Sequence, residues 1–359
     1  MNRLVALGLA ACISSWPASA QAQWTPLVSP TTASLRGLSV IDGRTVWASG
    51  ARGAVVHSND GGNTLQLDSI PGAAAFDLRS IHARSATVAH VAATAGRIWR
   101  TTDGGTTWSL RYQATDTTVF LDAIDFWDDR HGIALGDPIG GRFFVLLTDD
   151  GGDTWREAAA ESRPPAMEGE AAFAASGSSL AVQGSADSLV AWIGSGGRVA
   201  RLHRSMTRMK EWVVYDAPIR QGGAAQGIFS VGLLPSGGLV IVGGDYTQND
   251  SARANAAATR DGREWRPITN AAPRGYRSGV AFAAIAPAAR RGAEVGVRVG
   301  VVVGVAVGPG GSDISRDGGM SWTPFDSVGY HAVRASRDGI FYSSGSDGRL
   351  ARFDARARP

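Results

Sequence analysis

The sequence predicts an all-β fold: a seven-bladed β-propeller of four-stranded blades, with the ring closed by the N-terminal strand. Three observations carry the prediction. An eight-residue turn motif recurs along the chain, no long helical periodicity appears anywhere, and the recurrence interval is that of one four-stranded blade. The full form is Thr101-Thr102-Asp103-Gly104-Gly105-Thr106-Thr107-Trp108, repeated as Thr148 to Trp155 around Asp150 and as Ser315 to Trp322 around Asp317. Ser58 to Leu65, around Asp60, loses only the terminal Trp. Thr259 to Trp265, around Asp261, is one residue short, and Ser205 to Trp212 keeps only its first and last positions.

The unit is turn chemistry. The carboxylate can accept backbone N–H bonds, the glycines tolerate positive φ, and the flanking hydroxyls can bond within the same corner. The Trp that follows opens the next strand with a large face to bury. Asp60, Asp103, Asp150, Asp261 and Asp317, with Trp108, Trp155, Trp265 and Trp322, are therefore read as structural. The centres Asp60, Asp103, Asp150, Thr207, Asp261 and Asp317 stand 43, 47, 57, 54 and 56 residues apart, the spacing of propeller blades.

Each box follows a short strand, as in Gly96-Arg97-Ile98-Trp99-Arg100, and Gly348-Arg349-Leu350-Ala351-Arg352 repeats that strand near the end of the chain. Upstream lie alternating strands such as Leu78 to Ala83 and Ile124 to Phe126. Six boxes mark six blades. His331 to Phe353 supplies three strands of a seventh, and its fourth is sought at the other end of the chain. There Trp24-Thr25-Pro26-Leu27 matches Trp322-Thr323-Pro324-Phe325, so residues 24–28 are expected to pair with the strand near Gly348 to Phe353. The apolar stretch Val295 to Gly308 is too short and glycine-rich to span a membrane and is expected to be a buried strand pair.

Composition narrows the function classes. In 359 residues, 19% charged and 44% hydrophobic content excludes a disordered chain. The formal charge is +3 and the basic residues, nearly all arginine, are scattered without a run, which is no nucleic-acid footprint. The single cysteine, Cys12, precludes an intramolecular disulfide and any Cys/His zinc spacing. His57, His82, His90, His131, His203 and His331 are dispersed without ligand spacing, so no metal and no cofactor are expected. Gly194-Ser195-Gly196-Gly197 is followed by a strand, not a helix, and is no dinucleotide fingerprint.

Residues 1–20 read as a signal peptide: Arg3, an apolar run from Leu4 to Ile13, then Pro17-Ala18-Ser19-Ala20 with small residues for cleavage. Residues 21–359 then form a single propeller domain without a transmembrane segment, monomeric and periplasmic or secreted. Leu9-Ala10-Ala11-Cys12 offers the alternative of a lipoprotein anchored through Cys12.

The boxes resemble the Asp-box (BNR) repeats of the sialidase-like superfamily. Residues 96–108 more closely resemble the photosystem II stability/assembly factor-like propellers. Asp122 to Trp127 with Gly136-Asp137-Pro138, and Gly275-Tyr276-Arg277-Ser278-Gly279, are similar to an exported bacterial subgroup. The resemblance covers the mature chain and implies assembly-factor-like binding of a protein or ligand without catalysis. A sialidase would need a Phe/Tyr-Arg-Ile/Leu-Pro motif, and Leu35-Arg36-Gly37-Leu38 lacks its aromatic and its Pro. The alternative is a sialidase-like glycoside hydrolase using carboxylates at the channel mouth, for which Asp122, Asp137, Glu170 and Asp245 could supply a pair.

In a propeller the first strand of each blade lines the channel. Aligning those starts places Arg36, Arg79, Asp122, Glu170, Arg277 and His331 in a ring at the mouth, with Gly227 near the fifth position. Phe126, Trp127, Tyr246, Tyr276 and Tyr330 flank it. An envelope protein or small ligand is expected to bind at this face.

Overall fold

The computed structural model describes residues 24–184, 188–206, 208–285 and 300–357; the signal-peptide and lipobox segments and residues 295–299 lie outside them. Among the described residues there is no α-helix, and the strands assemble into seven antiparallel sheets. The first is Leu35–Val40, Val46–Gly50, Ala54–Ser58 and Gln66–Ser69. The second begins at Leu78–Ala83, the third at Leu121–Phe126, the fourth at Leu180–Gln183 and the fifth at Gly223–Leu233. The sixth begins at Gly279–Ile285 and the seventh at Ala332–Ala335. These seven inner strands touch one another in sequence, and the seventh touches the first, so the ring is closed.

Closure uses both chain ends. Thr25, Pro26 and Leu27 pair with Arg352, Ala351 and Leu350 and so complete the seventh sheet. Trp24 fastens this strand to the sixth sheet. Its ring meets Phe325, Tyr330 and Phe353 at 5.5–6.1 Å, and its Nε1 donates to Ser312 Oγ at 3.0 Å.

The core is divided among seven apolar clusters, each lying between two adjacent sheets. Trp47, Val55, Ile81 and Trp108 lie between the first and second, Ile98, Phe126 and Trp155 between the second and third, and Leu38, Val56 and Tyr342 between the seventh and first. A sheet buried on both faces explains the apolar runs of its middle strands, such as Ala89–Ala93 and Val301–Gly308. The latter is one strand of the sixth sheet.

The boxes explain how each corner meets its neighbour. In the first, Thr64 donates through N and Oγ1 to the Asp60 carboxylate, while Ser58 Oγ donates to Asp60 and accepts from Gly62 N. The Thr64 hydroxyl and amide hold the Asp60 carboxyl down to about 2. The same pattern recurs around Asp103, Asp150 and Asp317. The second glycine of each full box has positive φ and backs onto the preceding sheet. A Cβ on Gly105 would lie 2.2 Å from Asp68 Oδ2, and one on Gly152 2.3 Å from His90 Nε2. Glycine is thus required there twice over, by conformation and by room.

Two features depart from the expected pattern. At the degenerate fourth corner, Arg208 and Met209 occupy the left-handed region (φ 54° and 70°), so the turn persists where its glycines do not. The fifth sheet has six strands rather than four, because Glu170–Ala171 and Gly196–Gly197 extend its inner edge. Glu170–Ala171 belongs to the long excursion between the third and fourth sheets, the segment that makes the 57-residue interval the longest.

A channel-mouth cluster of arginines, carboxyls and aromatics

Four inner strands carry a bulge: near the start between Leu35 and Gly37, Leu78 and Ser80, and Leu121 and Ala123, and midway along the longer fifth strand between Ile228 and Ser230. A bulge leaves one residue unpaired and re-aims its side chain. The four extra residues are Arg36, Arg79, Asp122 and Phe229. In the seventh sheet His331 directly precedes its inner strand. Each stands on or beside an inner strand of the closed ring, and Arg36, Arg79 and His331, like Arg79 and Asp122, lie close enough to act on one another electrostatically.

Arg36 is half-buried and makes no ion pair among the described residues; its Nη1 lies 3.5 Å from the Ala175 carbonyl. Burial, and then the neighbouring Arg79 cation, lower its pKa. Arg79 pairs with Asp77 at 2.8 Å and lies over the Phe120 ring at 5.6 Å. The His331 Nε2 sits 3.3 Å from Ser34 Oγ and 3.1 Å from Ser346 Oγ. Burial, with Arg36, Arg349 and Arg79 nearby, pushes this imidazole down to about 4, so it is neutral at physiological pH. The first, second and seventh sheets therefore present a cationic sector in which Asp77 is the carboxylate paired to an arginine.

Carboxyl groups gather at the third sheet. A second bulge, between Gly136 and Pro138, sets Asp137 beside Asp122. Asp122 is 1% exposed and its Oδ2 has no hydrogen-bond partner among the described residues. Burial, and then Asp137, push its carboxyl well above the usual range. Asp137 is raised by burial as well, although its Oδ1 accepts from Ala172 N at 3.2 Å.

An irregular strap, residues 172–179, crosses the mouth. Ser176 Oγ donates to the Ser278 carbonyl at 2.6 Å, Ser178 Oγ to Ser230 Oγ at 2.8 Å, and Arg334 Nη2 to the Gly177 carbonyl at 3.1 Å. Phe173 stacks on Phe229 with centroids 3.8 Å apart. Tyr276, buried, meets Phe229 edge-on at 4.7 Å, and Tyr246, 48% exposed, closes the shelf.

Two of the residues aligned from sequence, Glu170 and Arg277, and one of the candidate carboxylates, Asp245, do not join this cluster. Glu170 is not at a blade start, because the inner strand of the fourth sheet is Leu180–Gln183. Its side chain is fully buried and accepts from Ser195 Oγ at 2.5 Å, Arg201 Nε and His203 Nε2 at 3.1 Å, Met167 N at 2.8 Å and Arg201 Nη2. Burial alone would raise this carboxyl; the donors, His203 and Arg201 foremost, instead hold it at about 2. The carboxylate lies between the Ser195 hydroxyl and the His203 imidazole, so the trio is no nucleophile–base arrangement. Arg277 stands one residue before the mouth position, which Ser278 takes, and is fully buried against Asp313 at 2.5–2.8 Å. Asp245 is buried, held by Thr247 in its own turn, by Gln226 on the neighbouring strand and by Arg220 at 3.5 Å. In the fifth sheet Phe229 holds the mouth position, two residues beyond Gly227. Asp77, Phe120, Phe173 and Arg349 were not legible as site residues; the strap reads in sequence only as a run of small residues in a loop.

No family model and no curated protein matches the chain. Solved structures do. YCF48 bound to D1 peptide aligns with a TM-score of 0.62 at 17% identity, covering 94% of this chain and 99% of that one. YCF48 from Cyanidioschyzon merolae aligns at 0.58 and 17%, covering 94% and 100%. A chain of the mitotic checkpoint complex aligns at 0.56 and 12%, covering 99% of each. Likeness at these identities speaks for architecture: the chain has a β-propeller fold like that of YCF48.

Proposed function

We propose that the chain is an exported, non-catalytic propeller scaffold that holds another protein at its channel mouth. The observation that carries this reading is Arg36, a half-buried guanidinium without an ion pair among the described residues, set beside Arg79 and a neutral His331. An arginine so placed, with a half-exposed aromatic shelf beside it, suits a hot spot that pairs a carboxylate with apolar contact. That a structural neighbour was solved with a peptide bound supports the reading. The glycoside-hydrolase alternative would need Asp122 and Asp137 to flank a sugar, and the burial of Asp122 keeps it from touching one. The proposed compartment is the periplasm or the exterior.

The test is capture from an envelope extract by the chain and by its Arg36→Gln/Arg79→Gln variant at low and high salt. The expected outcome is a partner retained by the parent, released by salt and lost by the variant. A partner captured equally by both at either salt concentration refutes the assignment of the face.

A further inference from the structure

The strand Glu170–Ala171 is the inner edge of the fifth sheet. Gly196–Gly197 pairs with one side of it, and among the described residues no strand pairs with the other. Its continuation, Phe173 to Ala175, is a half-buried lip at the channel mouth. The Ala172 N–H is taken by Asp137. Beyond it, the N–H groups of Phe173, Ala174 and Ala175 have no protein acceptor among the described residues, and Arg36 at 3.5 Å is the sole donor to their carbonyls. Half-buried backbone groups without a protein partner bond to water and can exchange it for another chain, and an unpaired edge is a template for another strand.

What surrounds the lip suits a chain. Phe173 and Tyr246 form the apolar shelf beside it, and Arg36 reaches its Ala175 end. An extended peptide presents main-chain donors and acceptors along one edge at every second residue, about 6.6 Å apart, and can offer them to the free groups of the lip.

We infer that Phe173 to Ala175 is a docking edge for an extended peptide, which pairs its main chain with the lip, lays a large apolar side chain on the Phe173–Tyr246 shelf and offers an acidic side chain to Arg36. This rests on the reading of the mouth as the partner face and narrows the partner to a segment free to extend.

The probe is a phage-displayed library of random twelve-residue peptides, panned on the full chain, with the selected peptides then synthesised. Two results are expected: N-methylation of alternate peptide amides weakens binding at least tenfold at one parity and not the other, and Ala174→Pro loses at least tenfold. The methylation series does not depend on how well the proline variant folds. Binding that is indifferent to methylation but lost by Arg36→Gln/Arg79→Gln overturns the edge and leaves the face standing. Capture of a folded protein at the face with no peptide selected also overturns the edge. Peptide binding indifferent to the arginine pair overturns the face itself, and the edge with it.

Discussion

Replacing Glu170 with alanine removes the acceptor on which five donors converge: the Ser195 hydroxyl, two nitrogens of Arg201, the His203 imidazole and the Met167 amide. The carboxylate and the imidazole are both fully buried, so neither His203 nor Arg201 regains full hydration when the acceptor goes. Breaking a buried pair by deleting one partner costs about 3–5 kcal/mol. The lowering of the carboxyl from 4.5 to about 2 gives a similar figure, about 3 kcal/mol. With an unfolding entropy near ~0.7 kcal/mol/K for a chain of this length, the loss lowers the melting temperature by about 4–7 °C. The pH dependence has a definite sign. Because the folded carboxyl titrates below its unfolded value, its stabilisation is complete above pH 4.5 and disappears as pH falls toward about 2. The buried His203, also depressed, adds loss below pH 6.5, since the unfolded imidazole then binds the proton first. Calorimetry of parent and Glu170→Ala from pH 7 to pH 3 should show the gap at neutral pH and its narrowing in acid. A variant melting within 1 °C of the parent at pH 7, by a method whose error is about that size, would refute the reasoning.

Three other outcomes follow from the same structure. Trp155→Ala empties the cluster between the second and third sheets, where the indole meets Phe126 edge-on at 5.7 Å, and should cost about 3–5 kcal/mol in denaturant unfolding; a change under ~1 kcal/mol would show that the corner does not anchor the neighbouring sheet. Trp24→Ala should destabilise by a similar amount and raise hydrogen exchange in Leu350–Asp354 before other strands, whereas uniform exchange would deny Trp24 a special part in closure. Arg277→Gln should lower the melting temperature through the stranded Asp313, yet leave partner capture by the folded fraction unchanged; capture lost at parental stability would return Arg277 to the binding face.

How far the sequence was legible follows from how strictly each position is constrained. The box corners are demanding enough in conformation and room that the same residues recur, and the strand after them needs an apolar anchor. For that reason Trp24-Thr25-Pro26 could be matched to Trp322-Thr323-Pro324 across nearly the whole chain, and the pairing of Thr25–Leu27 with Leu350–Arg352 is what that match requires. At the mouth the constraint is weaker. Arg36, Arg79 and Asp122 share a bulge that comes after an apolar residue, and that pattern is visible. Arg277 occupies the buried position taken elsewhere by Leu35, Leu78 and Leu121, and a slip of one residue in a strand exchanges its two faces. Glu170 was misplaced because the excursion before the fourth sheet contains a two-residue strand of its own, too short to show a period. The corner with Arg208 and Met209 at positive φ had no glycines to announce it.

The strap has a mechanical consequence beyond recognition. A ring of repeats in which each sheet touches only its two neighbours behaves as a one-dimensional chain bent back on itself, with fraying free to begin at any seam. Bonds from Gly177 to Arg334, from Ser176 to Ser278 and from Ser178 to Ser230 tie one short segment to the seventh, sixth and fifth sheets at once, while Ala175 reaches the first. The wheel therefore has a hub as well as a rim. Parting a seam between the fifth and sixth, sixth and seventh, or seventh and first sheets does not free the sheets on either side of it, because they stay tethered through the axle, and rupture there has to take several spokes together.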